Sequence, residues 1–241
     1  MKQKFSKDEY KKFRKYFSMK KSESEIEKYF LNKAYKFIKY IKWIPWLKMI
    51  WVWNSISMNS ANIESDIDLY IVTSTNTMWI NRFLISIILQ ILWVRKTWKK
   101  HAWMFCLSFF STTKWMDFSN WALEKDIYLY FWILHFKPLL NNDNTYENFI
   151  KKNTSWLNFD EYSDIIKSNK KYIRYYKKTL NNYYIETILK NIDYLIKKIF
   201  LQKTLRHFKK IWKPYWIIIN DNLLKFHNND IRKITKKELL D

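Results

Sequence analysis

The chain has 241 residues, with 44 Lys and Arg against 22 Asp and Glu for a formal charge of +22, and a single cysteine. That one thiol, Cys106, excludes an internal disulfide and a zinc site built on cysteines. The longest apolar stretch, 83–94, is broken by Ser86 and Gln90 and is too short to span a bilayer, and residues 1–20 alternate lysine with aromatics instead of forming an apolar signal core. No membrane partner and a cytoplasmic location are therefore expected.

Ile26, Tyr29, Phe30, Ala34, Phe37, Ile38 and Ile41 recur at three- and four-residue spacing, which predicts an amphipathic helix over 22–41 that Pro45 ends. Leu47 to Trp53 reads as a short apolar strand, Ser55 to Ser60 as a helical turn, and Ile67 to Thr73 as a second strand rich in β-formers. Met78 to Val94 reads as a buried helix, His101 to Phe110 as a third strand, and Asp126 to Phe136 as a helix closed off by Pro138. From Tyr172 to Ile199 the apolar residues keep a helical period, Trp212 to Ile219 forms a turn and a short extended piece, and a last helix runs near Asp230 to Leu240. The pattern predicts an α/β fold: a small mixed sheet with flanking helices and a helical C-terminal region. Its segments are a basic helical arm (1–41), a central domain (42–140) and a mostly helical remainder (141–241).

The surplus of lysine, asparagine and isoleucine fits an AT-rich coding sequence, yet the charge is uneven. Residues 1–50 carry 15 basic against 5 acidic side chains, residues 51–160 carry 10 against 9, and residues 161–241 carry 19 against 8. A near-neutral centre between basic flanks suits contact with RNA or DNA, with solvated lysine faces as the alternative. Glycine is absent while tryptophan occurs fourteen times, against an average glycine usage of about 7%. Tryptophan also stands in turn-like places, as in Trp43-Ile44-Pro45-Trp46 and Trp51-Val52-Trp53-Asn54. Many of these tryptophans are expected to be glycines, from a UGA codon that the source decodes as glycine.

The chemistry-bearing segment is 51–74, WVWNSISMNSANIESDIDLYIVTS. Alternate side chains of a strand share a face, so Asp66 and Asp68 point one way while Ile67, Leu69 and Ile71 pack inward. Two carboxylates so placed can share Mg²⁺, and the Asn54-Ser55 turn upstream offers N–H groups and a hydroxyl to phosphate oxygens. That arrangement fits metal-assisted phosphoryl transfer.

The turn, the spacing and the Ser65-Asp66-Ile67-Asp68-Leu69 strand resemble the signature of the DNA polymerase beta-type nucleotidyltransferase superfamily, a Gly-Ser turn followed after about ten residues by Asp-x-Asp. More narrowly, the chain resembles a family of bacterial nucleotidyltransferase-domain proteins over Ile44 to Trp156 and again over 213–230. The resemblance implies a nucleotidyltransferase sheet and Mg²⁺-dependent transfer of a nucleoside monophosphate from an NTP to an acceptor. Asp66 and Asp68 would then be catalytic metal ligands, and Asn54 and Ser55 would hold phosphate. Asn54 replaces the superfamily's glycine, and asparagine tolerates the left-handed backbone better than most residues.

A third carboxylate, usual on a later strand, is not evident: Met104 to Phe110 offers Ser108 instead, with Asp117 and Asp126 as substitutes from elsewhere. The alternative is therefore a catalytically inactive member of the fold that binds nucleotide or nucleic acid. The resemblance marks Trp79, Trp132 and Trp156 as genuine and the other eleven tryptophans as glycine positions. Cys106, inside an apolar run, reads as a buried small hydrophobe. His101, His135 and His207 share no ligand spacing, and His227 reads as structural. Arg95, Lys96, Lys99 and Lys100 read as a solvated turn, with contact to triphosphate or nucleic acid as the alternative.

Overall fold

A computed structural model describes residues 2–44, 46–97, 101–176, 183–209, 217–226 and 231–241. Helices α1 (Lys7–Tyr16) and α2 (Glu25–Ile41) lead into strands β1 (Leu47–Val52) and β2 (Ile67–Thr73), then α3 (Met78–Ile91), β3 (Phe105–Thr112), α4 (Ile127–Leu134) and β4 (Lys137–Asn141). The chain continues through α5 (Thr145–Asn153), α6 (Ser163–Asn169), α7 (Tyr183–Lys209), β5 (Ile218–Ile219), β6 (Leu223–Lys225) and α8 (Arg232–Leu240). One six-stranded mixed sheet has the order β4-β1-β2-β3-β6-β5, with β2 and β3 parallel and the other neighbours antiparallel. The fold is α/β as the pattern indicates, and strands from both the central and the C-terminal segments share the one sheet. Among the described residues no helix is long and apolar enough to cross a membrane.

Both faces of the sheet are covered. Met49, Trp51, Tyr70, Val72 and Phe109 pack on one side with Phe13, Phe131, Phe149 and Leu239, from α1, α4, α5 and α8. Ile50, Val52, Ile67, Leu69, Ile71 and Phe110 pack on the other with Phe30, Ile38, Ile85 and Leu89, from α2 and α3. This is the period of two expected of β2, with Ile67, Leu69 and Ile71 sharing one core. Each N-terminal helix begins with a capping box, Ser6 with Glu9 and Ser24 with Glu27. Glu27 is fully buried and also accepts the Ala61 N–H at 2.9 Å, which ties α2 to the loop after β1. Asp193 of α7 accepts the Ile80 N–H at 2.8 Å and so caps α3, whose Thr77 makes no side-chain cap.

Several segments differ from the sequence reading, among them the third strand, expected over 101–110 and found at Phe105–Thr112. Pro138 does not simply end a helix: α4 stops at Leu134 and the chain turns straight into β4, an edge strand where a missing N–H is tolerated. Residues 172–176, expected to be helical, end a 3₁₀ turn and run extended, with the Asn141 N–H donating to Tyr175 O at 3.0 Å. The helix over 78–94 ends at Ile91. There Trp93 has φ 55°, its N–H donates to Gln90 O at 3.1 Å and the Val94 N–H to Leu89 O at 3.1 Å, a Schellman ending in which glycine is the usual residue. Trp93 is 89% exposed, and Trp103 is likewise left-handed at φ 68°. By contrast, Trp132 and Trp156 donate indole hydrogen bonds of 3.1 Å to Asn54 and Asn153. Trp51 is fully buried, and its Nε1 has no acceptor among the described residues. Trp98, Trp212, Trp216, Lys99, Lys100 and His227 lie outside the described residues.

Candidate metal and phosphate site

The site lies where β2 begins and β1 ends. After Val52 and Trp53 the chain reverses at Asn54, whose φ of 58° is the left-handed conformation in which asparagine is tolerated. The turn is tied by Met58 N–H to Asn54 O at 3.0 Å, Ser57 Oγ to Asn54 O at 2.9 Å and Ser60 N–H to Ser55 O at 2.8 Å. From β4, Lys137 donates to Ile56 O at 3.1 Å and to Asn59 Oδ1 at 2.6 Å, so the sheet edge holds the turn in place.

Asp68 sits on a central strand and is 6% exposed. Its Oδ2 accepts from Asn54 Nδ2 at 2.6 Å, while Asn54 Oδ1 accepts from Trp132 Nε1 at 3.1 Å. The indole can only donate, so it turns the amide oxygen to itself and the NH₂ to the carboxylate. Asp66, just before the strand, is more open and pairs with Lys96 Nζ at 2.6 Å. Lys96 is brought there by a short backbone bridge, Phe105 N–H to Val94 O at 2.8 Å and Lys96 N–H to Phe105 O at 2.9 Å. In the parallel register Cys106 of β3 stands opposite Asp68. Donor atoms of Asp66, Asp68 and Cys106 all lie within 4.8 Å of one another, the only such group of His, Cys, Asp and Glu among the described residues.

Burial, and after it the charge of Asp66, pushes the Asp68 carboxyl up to about 7, against the opposing influence of Asn54, Cys106 and Lys96. Burial and the neighbouring Asp68 charge also push the Cys106 thiol up. Burial opposes the charge on Lys96, but its bond to Asp66 and the nearby Cys106 and Asp68 outweigh that and hold the ammonium more firmly. Arg82 of α3 donates to Leu107 O at 2.8 Å and lies 4.3 Å from the Phe226 ring centre. Burial, with Arg95 nearby, lowers its proton affinity to about 9.

Asp66 and Asp68 come together as the alternation requires. Asn54 occupies the expected turn, but its side chain is committed to Asp68 and Trp132, so only its backbone remains to meet a phosphate. Ser55 opens the same turn, with its hydroxyl outside the chain of bonds on Asp68. Ser108 is not the residue that β3 contributes: it lies beyond Cys106 and hydrogen-bonds the thiol. Neither substitute carboxylate reaches the site, since Asp117 accepts the Ser119 N–H at 2.9 Å and Asp126 caps α4 through the Leu129 N–H at 3.0 Å. His135 is structural, 2.9 Å from the Tyr10 hydroxyl. Cys106, Trp132 and Arg82 are the site neighbours missed from sequence, because the β2–β3 register that brings Cys106 to Asp68 has no local signature. No family model, curated protein or solved structure matches this chain.

Proposed function

We propose that the chain is a divalent-metal-dependent nucleotidyltransferase that moves a nucleoside monophosphate from an NTP to an acceptor hydroxyl. The observation that carries this reading is the pair Asp66 and Asp68, one buried and one open, set by strand geometry at the mouth of a turn that starts with a left-handed Asn54. Two carboxylates are the oxygen donors that Mg²⁺ takes, and the cation, when bound, would neutralise charge on the triphosphate. Trp132 and Asn54 hold the Asp68 carboxylate in one orientation. Ser55 and the N–H groups of the turn would meet phosphate oxygens, and Lys96 and Arg82 add positive charge beside them. The acceptor oxygen bonds to the α-phosphorus as pyrophosphate leaves, and the hydroxyl proton passes to solvent. On this reading the protein acts in the cytoplasm, and its basic flanks would meet RNA or DNA.

A second reading, a binding module without turnover, is favoured by one observation: the third position near the two acids holds a thiol rather than a carboxylate. Incubation with α-labelled ATP, Mg²⁺ or Mn²⁺ and cell lysate separates the two. Label transfer by the parent, lost in Asp66→Asn and Asp68→Asn, is the expected result. Nucleotide binding without transfer across acceptors and metals would establish the module instead.

We also infer that glycine stands natively at most of the eleven tryptophan positions set apart above. Support comes from Trp93 and Trp103, bulky residues in left-handed backbone. Peptide mass spectrometry of protein from the source decides it, and indole at both positions would overturn it.

A further inference from the structure

We propose that Cys106 is the third ligand of this site and that its sulfur biases the site away from Mg²⁺ towards a thiophilic divalent cation such as Zn²⁺ or Co²⁺. The inference rests on the reading of Asp66 and Asp68 as metal ligands and adds the identity of the cation. Cys106 faces Asp68 across the parallel β2–β3 pair, so its place is set by the sheet rather than by a loop. The three donor atoms lie within 4.8 Å. Tetrahedral metal–oxygen and metal–sulfur bonds of about 2.1 and 2.3 Å set their donor atoms about 3.4–3.6 Å apart, so closure of up to about 1 Å, with the more open Asp66 free to contribute, brings the three donors onto one ion.

Charge balance points the same way. Two carboxylates and a thiolate carry three negative charges, set against a divalent cation, Lys96 at 2.6 Å from Asp66 and Arg82 on the carbonyl beside Cys106. With a hard cation and a neutral thiol, the same partly buried site would keep one more uncompensated positive charge. Mg²⁺ prefers oxygen ligands and water, whereas thiolates select softer ions. On binding, the Cys106 S–H bond breaks, its proton goes to solvent, and the sulfur electron pair goes to the cation.

The test is titration of the full chain with Co²⁺ alone, followed by the thiolate-to-cobalt charge-transfer band in the near ultraviolet and by calorimetry. Cys106 is the chain's only cysteine, so a saturable band identifies the ligand without any variant. The expected result is that band, with Cd²⁺ displacing Co²⁺ and millimolar Mg²⁺ failing to. Cys106→Ser should lose the band and at least about tenfold in Cd²⁺ affinity, and Cys106→Asp should gain Mg²⁺ affinity. Co²⁺ bound without a band, equally by parent and Cys106→Ser but not by Asp68→Asn, would overturn the role of Cys106 and leave the carboxylate site standing. Absence of Co²⁺ binding to the parent would overturn both.

Discussion

Asp68 and Asp126 are both buried acids in or beside the same sheet, 6% and 1% exposed, yet they stand in opposite company. Asp126 accepts the N–H groups of Leu123 and Leu129 at 3.0 Å each and the Arg232 guanidinium at 2.9 Å, while its own N–H donates to Gln3 at 2.8 Å. Its charge is met by donors from its own turn and from α8, and with its N–H on Gln3 the residue pins α8 and the N-terminal segment onto the start of α4. Asp68 is met by an amide and a thiol and faces a second carboxylate. Burial alone therefore does not mark a functional acid: a structural one is surrounded by donors, and the one at the candidate site is set beside like charge.

Arg232→Ala leaves Asp126 buried without its cation, at an expected cost of about 3–5 kcal/mol in chemical denaturation. It should leave metal binding at Asp66 and Asp68 unchanged. A loss of metal binding in a folded Arg232→Ala protein would mean that the two regions are coupled.

Asn54→Ala should cost about 1–3 kcal/mol, because the Trp132 indole loses its acceptor and the Asp68 carboxylate loses its amide donor. It should also weaken metal binding, because Asp68 is then held less firmly. Unchanged metal affinity would show that the Trp132–Asn54–Asp68 chain is structural only.

Trp93→Gly should raise stability by about 1–2 kcal/mol by relieving left-handed backbone at an exposed helix end. Loss of stability there would count against glycine as the native residue.

The smallest effect is a pH slope from His135. Burial, with Lys137 and Arg14 adding, holds its imidazole down at about 3. The folded chain thus binds fewer protons than the unfolded chain, so this contribution is complete above the ordinary value near 6.5 and is lost as pH falls from there towards 3. About 1 kcal/mol should be missing at pH 5.5 relative to pH 7. Urea midpoints measured across that range should show the slope in the parent and not in His135→Gln.

The sequence carried the parts of the site that depend on local pattern. Ile67, Leu69 and Ile71 announce the strand and its inward face, which leaves Asp66 and Asp68 on the other, and Asn54 marks a residue suited to a left-handed turn. What it did not carry is pairing across distance. Cys106 looks like one more residue of an apolar run until β3 lies parallel to β2 in a register that sets it opposite Asp68. Asp126 looks like a spare ligand until Arg232, far along the chain, closes on it. Pro138 looks like a terminator because an edge strand of five residues is too short to show a period.

If Asp66 and Asp68 hold a cation that recruits nucleotide, thermal unfolding with metal and ATP reads both events at once. At about a hundred times the dissociation constant, a ligand that binds only the folded chain adds about 2.7 kcal/mol, roughly 5–10 °C in Tm for a chain of this size. The expected result is that shift for the parent and for Arg232→Ala, and its loss in Asp66→Asn and Asp68→Asn. An equal shift in the Asp variants, or none in the parent with Mg²⁺, Mn²⁺, Co²⁺ or Zn²⁺, would contradict it.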